Sequence, residues 1–370
     1  MSKFLHIADI HLETPFRYLG SKGKERRQEI KDAFEGILDK AEEYDVDAVL
    51  IAGDLFEHDF STRDLGNYLC KQFKTLGDTP VLISPGNHDP YVKSSLYSLI
   101  NWPQNVYVFS QNQFERIGFE DFVVYGIANT NFSDQNNYLK DFEAQEDLPC
   151  IGLMHGSYVP YSGLLSDSDV CFPFTEEDLK GLRMDYLALG HYHRYSDVSV
   201  DGAVIGSYPG TIEPLNFDEV GTRNAVVVKV SDKVDLEKIP TGIRSYETLE
   251  LDCSNATCLD DIASWIKKSG TCDKNIVKVV LIGEVDPSVD LKLDELQVTA
   301  NNRFYFAILE DNTIPYYDIE SISQEQSLRG EFVSRILQEM EQNPQKEELL
   351  KRALYYGLQA FDSNKKEVPL

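Results

Sequence analysis

The chain has 370 residues, past the length at which a single core usually stops growing, so one large domain with one or two smaller ones is expected. Apolar residues make up 42% and charged residues 26%, which excludes a disordered chain, and no apolar run reaches the roughly 18 residues of a membrane span. Thirty-five Lys and Arg against 62 Asp and Glu leave a net charge of −27. That balance excludes bulk attraction to nucleic acid, which would need local basic patches, bound metal or a partner.

The opening Met1-Ser2-Lys3-Phe4 carries no long apolar leader, and the six Cys form no C-x-x-C pair, so the chain reads as cytoplasmic with reduced thiols. Five short apolar runs then end on polar residues. Phe4 to Ala8 leads into Asp9-Ile10-His11, and Ala48 to Ala52 into Gly53-Asp54. Val81 to Ser84 leads into Pro85-Gly86-Asn87-His88-Asp89, Cys150 to Met154 into His155, and Tyr186 to Leu189 into Gly190-His191-Tyr192-His193. Runs of four or five with little alternation read as strands buried on both faces. Helices are predicted between them over 24–44 and 62–76, and further strands over 122–127, 203–206 and 225–230. The alternation of strand and helix argues for an α/β domain over 1–240.

Pro240-Thr241-Gly242 reads as a boundary. Beyond it a strand at 244–251, a helix at 257–268, a strand at 276–283, a helix at 291–299 and a strand at 303–309 suggest a small α/β domain over 243–315. A helical pair over 322–362 follows, broken at Asn343-Pro344. One helix carries the apolar stripe Leu328, Phe332, Val333, Ile336, Leu337 and Met340; the other carries Leu350, Ala353, Leu354, Leu358 and Phe361. Such stripes must be buried, against each other and the body of the protein or against a partner.

The chain has seven His, and His11, His88, His155, His191 and His193 all follow predicted strands, beside Asp9, Asp54 and Asn87. Ligand sites in α/β sheets lie beyond the carboxyl ends of the strands, so these residues point to one rim and one site. Imidazole and carboxylate suit Mn, Fe, Zn or Ni better than Ca. The set is too large for one closed tetrahedral zinc and suits two metals sharing a carboxylate, the arrangement that clamps both oxygens of a phosphoryl displacement.

In order, the motifs are D-x-H, G-D, G-N-H-D, a lone His after a strand, and G-H-x-H. Their order and spacing resemble the calcineurin-like metallophosphoesterase superfamily across residues 4–193. His6 to Leu12 with Thr14-Pro15-Phe16, Ala52 to Phe56, and Ser207 to Thr211 followed by Phe217 to Gly221 resemble the SbcD and YhaO type of DNA repair nuclease. That group includes the nuclease subunit of the eukaryotic meiotic-recombination complex. The resemblance implies a four-layer α-β-β-α sandwich with a small α/β cap and C-terminal helices. It implies metal one on Asp9, His11, Asp54 and His193, metal two on Asp54, Asn87, His155 and His191, and Asp54 as the bridge. His88 would contact phosphate and protonate the leaving oxygen, and Asp89 would orient His88. Two divalent ions are expected, Mn²⁺ foremost, with Fe, Zn or Ni as alternatives. The implied activity is exonuclease and single-strand endonuclease action on DNA, in a homodimer with an SbcC-type ATPase that grips the C-terminal helices. Where some members carry a catalytic-site His or Asp three residues after the Asp of the second motif, this chain has Glu57 with His58 beside it, which leaves a second helper open.

Other features are weaker. Arg17, Lys22, Lys24, Arg26 and Arg27 place five cations and one acid in 11 residues, a phosphate-backbone candidate or a solvated helix face. Tyr158, Tyr161, Tyr192 and Tyr195 flank the metal motifs and read as packing residues or base-stacking platforms. His6 reads as structural, and Cys253, Cys258 and Cys272 lack zinc-ribbon spacing. The rival functions are a small-molecule phosphodiesterase or nucleotidase, which the acidic charge favours, a protein phosphatase, and a metal-poor scaffold.

Overall fold

The computed structural model describes residues 1–140, 142–159 and 170–361. They divide into two compact units, the first Met1–Tyr246 and the second beginning at Glu247. In the first unit β1 is Ser2–Ile7, β2 Ala48–Ile51, β3 Val81–Ile83, β4 Val106–Val108, β5 Glu115–Gly118 and β6 Val123–Gly126. Then come β7 (Cys150–His155), β8 (Tyr186–Gly190), β9 (Ser196–Val200), β10 (Ala203–Tyr208), β11 (Arg223–Val230) and β12 (Val234–Thr241). They form two six-stranded sheets, ordered β12-β11-β1-β2-β3-β4 and β5-β6-β7-β8-β10-β9.

The period of two in the strands explains why the sheets stack. Phe4, Leu50, Leu82, Val226 and Val228 of one sheet and Val124, Ile151, Leu153 and Ala188 of the other form one buried cluster, with the Phe4 and Phe122 rings edge-on at 5.1 Å. The alternate residues Leu5, Ile7, Val49, Ile51, Val81 and Ile83 are equally buried. Helices α1 (Gly23–Glu43) and α2 (Arg63–Thr75) cover that outer face, their Phe34 and Phe73 rings 6.2 Å apart. Helix α2 begins where Thr62 Oγ1 accepts from the Leu65 N–H. The layer over the second sheet is thinner. Phe172, Phe174, Leu179 and Leu182, on loops and a single helical turn, α3 (Glu176–Leu179), pack there against Leu187 and Leu189.

β1, β2 and β3 are parallel and in register, Ile7 opposite Ile51 and Ile51 opposite Ile83. In the second sheet β7 and β8 are parallel, with His155 opposite Gly190. All five strands that end on metal-type residues therefore end at one rim. Here the sheets nearly touch: a Cβ on Gly190 would fall inside van der Waals contact of the Ala52 carbonyl and the Ala8 side chain. Only glycine fits the start of the G-H-x-H motif.

Several elements differ from expectation. Pro240 lies inside β12, opposite Asn224, because β12 is the edge of its sheet and an edge strand tolerates a missing N–H. The division between units falls later, after Tyr246. Arg26 is not a phosphate contact. Its fully buried guanidinium donates to Glu213 at 2.6 Å, to the Pro214 carbonyl at 3.0 Å and to Glu29 at 3.1 Å. Arg244 completes the network through Glu29 at 2.8 Å. Arg26→Met would leave the Glu213 carboxylate buried without its cation, so urea denaturation is expected to show about 3–5 kcal/mol lower stability. A loss below about 1 kcal/mol would mean that Glu213 finds another partner.

In the second unit β13 (Tyr246–Asp252), β14 (Ile276–Ile282) and β15 (Phe306–Asp311) form a three-stranded sheet. Helices α4 (Leu259–Lys268) and α5 (Leu293–Arg303) pack on it through Ile262, Ile266, Leu296 and Ala300. The C-terminal helices α6 (Leu328–Gln342) and α7 (Glu347–Phe361) turn much of their stripes on each other, burying Val333, Leu354 and Leu358. A Cβ on Gly357 would collide with the Phe332 ring, so close helix packing offsets the helix propensity lost there. Leu328, at 81% exposure, stays outside this contact. No described helix is long and apolar enough to cross a membrane.

Candidate metal centre

Asp9, His11, Asp54 and His191 all have positive φ, at 52°, 51°, 50° and 113°. That region is uncommon for residues with a Cβ, and its strain persists only where the surroundings enforce it. Here the backbone does so. The Asp9 N–H donates to the Gly53 carbonyl at 3.1 Å, His11 N–H to the Asp54 carbonyl at 2.9 Å, and His191 N–H to the Asp9 carboxylate at 3.0 Å. The end of β1 is thus tied to the end of β2, and Asp9 is tied to the other sheet.

The imidazoles are oriented by partners on Nδ1. His11 Nδ1 lies 2.8 Å from Glu57 Oε1, His193 Nδ1 2.8 Å from Glu219 Oε1, and His155 Nδ1 2.9 Å from the Ala52 carbonyl. These oxygens can only accept, so each Nδ1 donates and each Nε2 is turned inward. His11 Nε2 and His193 Nε2 then face each other at 3.1 Å, with Asp54 Oδ2 at 3.7 Å from His11. On the other side His155 Nε2 lies 2.9 Å from Asn87 Oδ1 and 3.3 Å from Asp54 Oδ2. Acceptors converging this closely require positive charge among them, supplied by protons or by cations.

The electrostatics agree. Asp9 and Asp54 are buried. Burial raises Asp9, whereas His155, His11 and His88 hold Asp54 ionised despite its burial. Burial alone would lower His155, but Asp54 and Asp9 raise it to about 9. Donor atoms of Asp9, His11 and His193 lie within 4.8 Å of one another, as do those of Asp9, Asp54 and His155. Neutral imidazole, carboxylate and amide oxygen form a donor set that fits divalent transition ions. His191 sits beside this set, its ring centroid 5.2 Å from that of His155.

His88 stands at the edge, its side chain 48% exposed. Its backbone N–H donates to Asp54 Oδ1 at 2.8 Å, and its Nδ1 lies 3.2 Å from Glu57 Oε2. Glu57 therefore holds a predicted metal ligand with one oxygen and His88 with the other. Asp89 does not orient His88. Its buried carboxylate accepts from the backbone N–H of Leu55 and Gly86, both at 2.7 Å, and from the Tyr97 hydroxyl at 2.6 Å. It clamps the second motif to the third.

Glu219, 26 residues beyond His193, lies in the stretch Phe217 to Gly221 that carries part of the resemblance, but no role is read for it there; Asn129, whose amide donates to the Pro85 and His155 carbonyls, carries no local motif. The tyrosines pack rather than present free faces. Tyr158 lies against Phe174 at 5.6 Å, Tyr192 over Tyr208 at 4.8 Å, and Tyr195 under Lys238 at 4.3 Å. Tyr161 lies outside the described residues. His6 is a core residue: burial lowers it to about 3, and its Nδ1 meets the Tyr186 hydroxyl at 2.8 Å. Of the basic segment, Arg17 and Lys24 are exposed and Lys22 is half-buried, while Arg27 donates to the Pro15 carbonyl at 3.0 Å.

Two stacked six-stranded sheets with a His–carboxylate cluster at one rim define a metallophosphoesterase. Residues 2–195 match the calcineurin-like phosphoesterase family, and the chain belongs to it. It is thus a hydrolase of phosphoester bonds from a family that uses a dinuclear metal site. Among similar proteins, the uncharacterized metallophosphoesterase YhaO of Bacillus subtilis is 30% identical over 241 residues, 62% of this chain and 57% of that relative. The DNA double-strand break repair protein Mre11 of Sulfolobus acidocaldarius is 24% identical over 330 residues, 84% of this chain and 83% of that protein. The Mre11 of Aeropyrum pernix is 29% identical over 272 residues, 68% of this chain and 64% of that protein.

Proposed function

We propose that the protein is a di-metal-dependent DNA nuclease that hydrolyses phosphodiester bonds, as an exonuclease and as a single-strand endonuclease, in double-strand-break repair. The observation that carries this reading is the convergence of inward Nε2 and carboxylate oxygens from both sheets beside a half-exposed His88. The choice of DNA is supported by relatives named for double-strand break repair that align with 84% of the chain. Asp9, His11, Asp54 and His193 would hold one ion, and Asp54, Asn87, His155 and His191 the other. When bound, the ions supply Lewis acidity for a water nucleophile and for the phosphate charge. Mn²⁺ is the first choice, ahead of Fe, Zn or Ni, and Mg²⁺ should serve poorly because imidazole is a weak ligand for it.

His88 then has a defined task. Glu57 holds its Nδ1, which leaves Nε2–H to reach a phosphate oxygen and to give its proton to the leaving alkoxide as the P–O bond breaks. The exposed Leu328 of α6 and Leu349 of α7 support docking of an SbcC-type ATPase subunit on these helices, in a homodimer in the cytoplasm.

The test is incubation of purified protein and Mn²⁺ with plasmid, oligonucleotides and bis(p-nitrophenyl) phosphate side by side. Cleavage of the DNA substrates is expected. The net charge of −27 favours one rival, a small-molecule phosphodiesterase or nucleotidase, which would hydrolyse the chromogenic diester or nucleotides and leave DNA intact.

The basic segment makes a separate prediction. Replacing Arg17, Lys22 and Lys24 together by Gln should weaken DNA binding and flatten its salt dependence by a slope of about one per lost phosphate contact. Titration of DNA at several salt concentrations measures this, and an unchanged slope would return the segment to a solvated face.

A further inference from the structure

Two exposed aromatic rings stand at the rim of the metal centre. Phe60 is 41% exposed and Phe132 is 55% exposed. Single exposed aromatics are ordinary on protein surfaces, but both of these sit on loops anchored to the site. Phe60 ends the turn His58–Phe60, whose first N–H donates to the His88 carbonyl at 3.0 Å and which directly follows Glu57. Phe132 follows Asn129, whose amide donates to the Pro85 carbonyl at 3.2 Å and the His155 carbonyl at 3.4 Å. The turn that carries Phe60 also carries His58, which links it to Phe132. The Arg17 guanidinium lies 5.9 Å from the Phe60 centroid, and the His58 ring meets Phe132 edge-on at 5.3 Å.

The local charge matters as well. Asp59 is exposed on the same turn, in a chain of net charge −27. The acid beside Phe60 offsets part of the attraction that Arg17 offers a phosphate, so ring faces that bind without charge add grip at this turn. Every nucleobase offers a π-face to an aromatic ring, whatever the sequence.

We propose that Phe60 and Phe132, flanked by Arg17 and His58, form a stacking rim for the unpaired bases next to the phosphodiester at the metal centre. The inference rests on the nuclease reading above and narrows it to DNA with unpaired nucleotides, single strands and frayed ends, without sequence preference. A duplex keeps its π-faces stacked internally and cannot use the rim.

The test uses the full chain with Mn²⁺ and two single-stranded oligonucleotides, one normal and one with abasic sites around the cleaved bond. The wild type should show a KM for the normal strand about tenfold below that for the abasic strand, with similar kcat. In the Phe60→Ala, Phe132→Ala double variant the two KM values should converge, and Trp at both positions should restore the gap. A variant that keeps the wild-type gap, or one that weakens equally on both strands, overturns the proposal. If the wild type cleaves both strands equally well, the nuclease reading stands and the stacking rim falls. If it cleaves bis(p-nitrophenyl) phosphate and neither strand, the nuclease reading fails and the rim with it.

Discussion

Replacing His88 by Asn is expected to leave two cations per chain in place while turnover falls by about 10²–10⁴-fold, the usual share of a general acid. The geometry separates the two effects. His88 contributes a backbone N–H to Asp54, which Asn preserves, and a ring that Glu57 turns to the open side. Elemental analysis and steady-state kinetics on the same preparation check this, and an emptied metal site would make His88 a ligand instead. The pH profile carries a second signature. The hydrogen bond that His88 donates to Glu57 raises His88 to about 9 in the absence of cations. A general acid acts in its protonated form, so activity should be lost as pH rises through the value His88 has in the folded enzyme. Bound cations pull that value down, and Glu57→Gln removes the anion that raises it. The variant's descending limb should therefore lie at lower pH than that of the wild type.

His155→Asn is expected to reduce the metal content from two ions to one and to abolish hydrolysis. His155 is buried, its Nδ1 fixed on the Ala52 carbonyl, and its Nε2 within 3.3 Å of both Asn87 and Asp54. Asn is too short to return a donor atom to that point. The first site, built on Asp9, His11 and His193, should keep its ion. Metal titration followed by calorimetry would resolve the two, and retention of both ions would remove His155 from the ligand set. Glu219→Gln offers a graded comparison. It weakens the orientation of His193 without deleting a ligand, and losing such an outer partner typically costs about 10–100-fold in affinity or activity.

The metal centre was legible in the sequence because parallel strands buried on both faces write themselves as short apolar runs, and each run stops where the chain meets the rim. The edge strands β4, β5, β9 and β12 were not legible: they are short or half-exposed, and their apolar pattern is diluted. Glu57 was located as a departure from a family pattern, but its bridging role appears only once His11 and His88 stand on either side of it. The resemblance implied that Asp89 orients His88, but neighbours on a tight turn need not point the same way, and Asp89 turns to the Leu55 and Gly86 N–H groups. Arg26 could have been separated from its basic neighbours. It lies four residues before Ile30 and eight before Phe34, on the buried stripe of α1, whereas Arg17 and Lys24 do not.

The two sheets each supply only part of the proposed metal set. Asp9, His11, Asp54 and Asn87 come from the ends of β1, β2 and β3, and His155, His191 and His193 from the ends of β7 and β8. A pair of cations held by that set would act as a non-covalent staple across the sandwich, at the place where Gly190 and Ala52 already bring the backbones together. Ions that bind only the assembled rim raise stability by mass action, about 2.7 kcal/mol for one site at a free concentration 100 times its Kd. The melting temperature thus becomes a readout of metal supply. Chelation should loosen this end of the sandwich first, while the core around Phe4, Ile151 and Val226 still holds the sheets face to face.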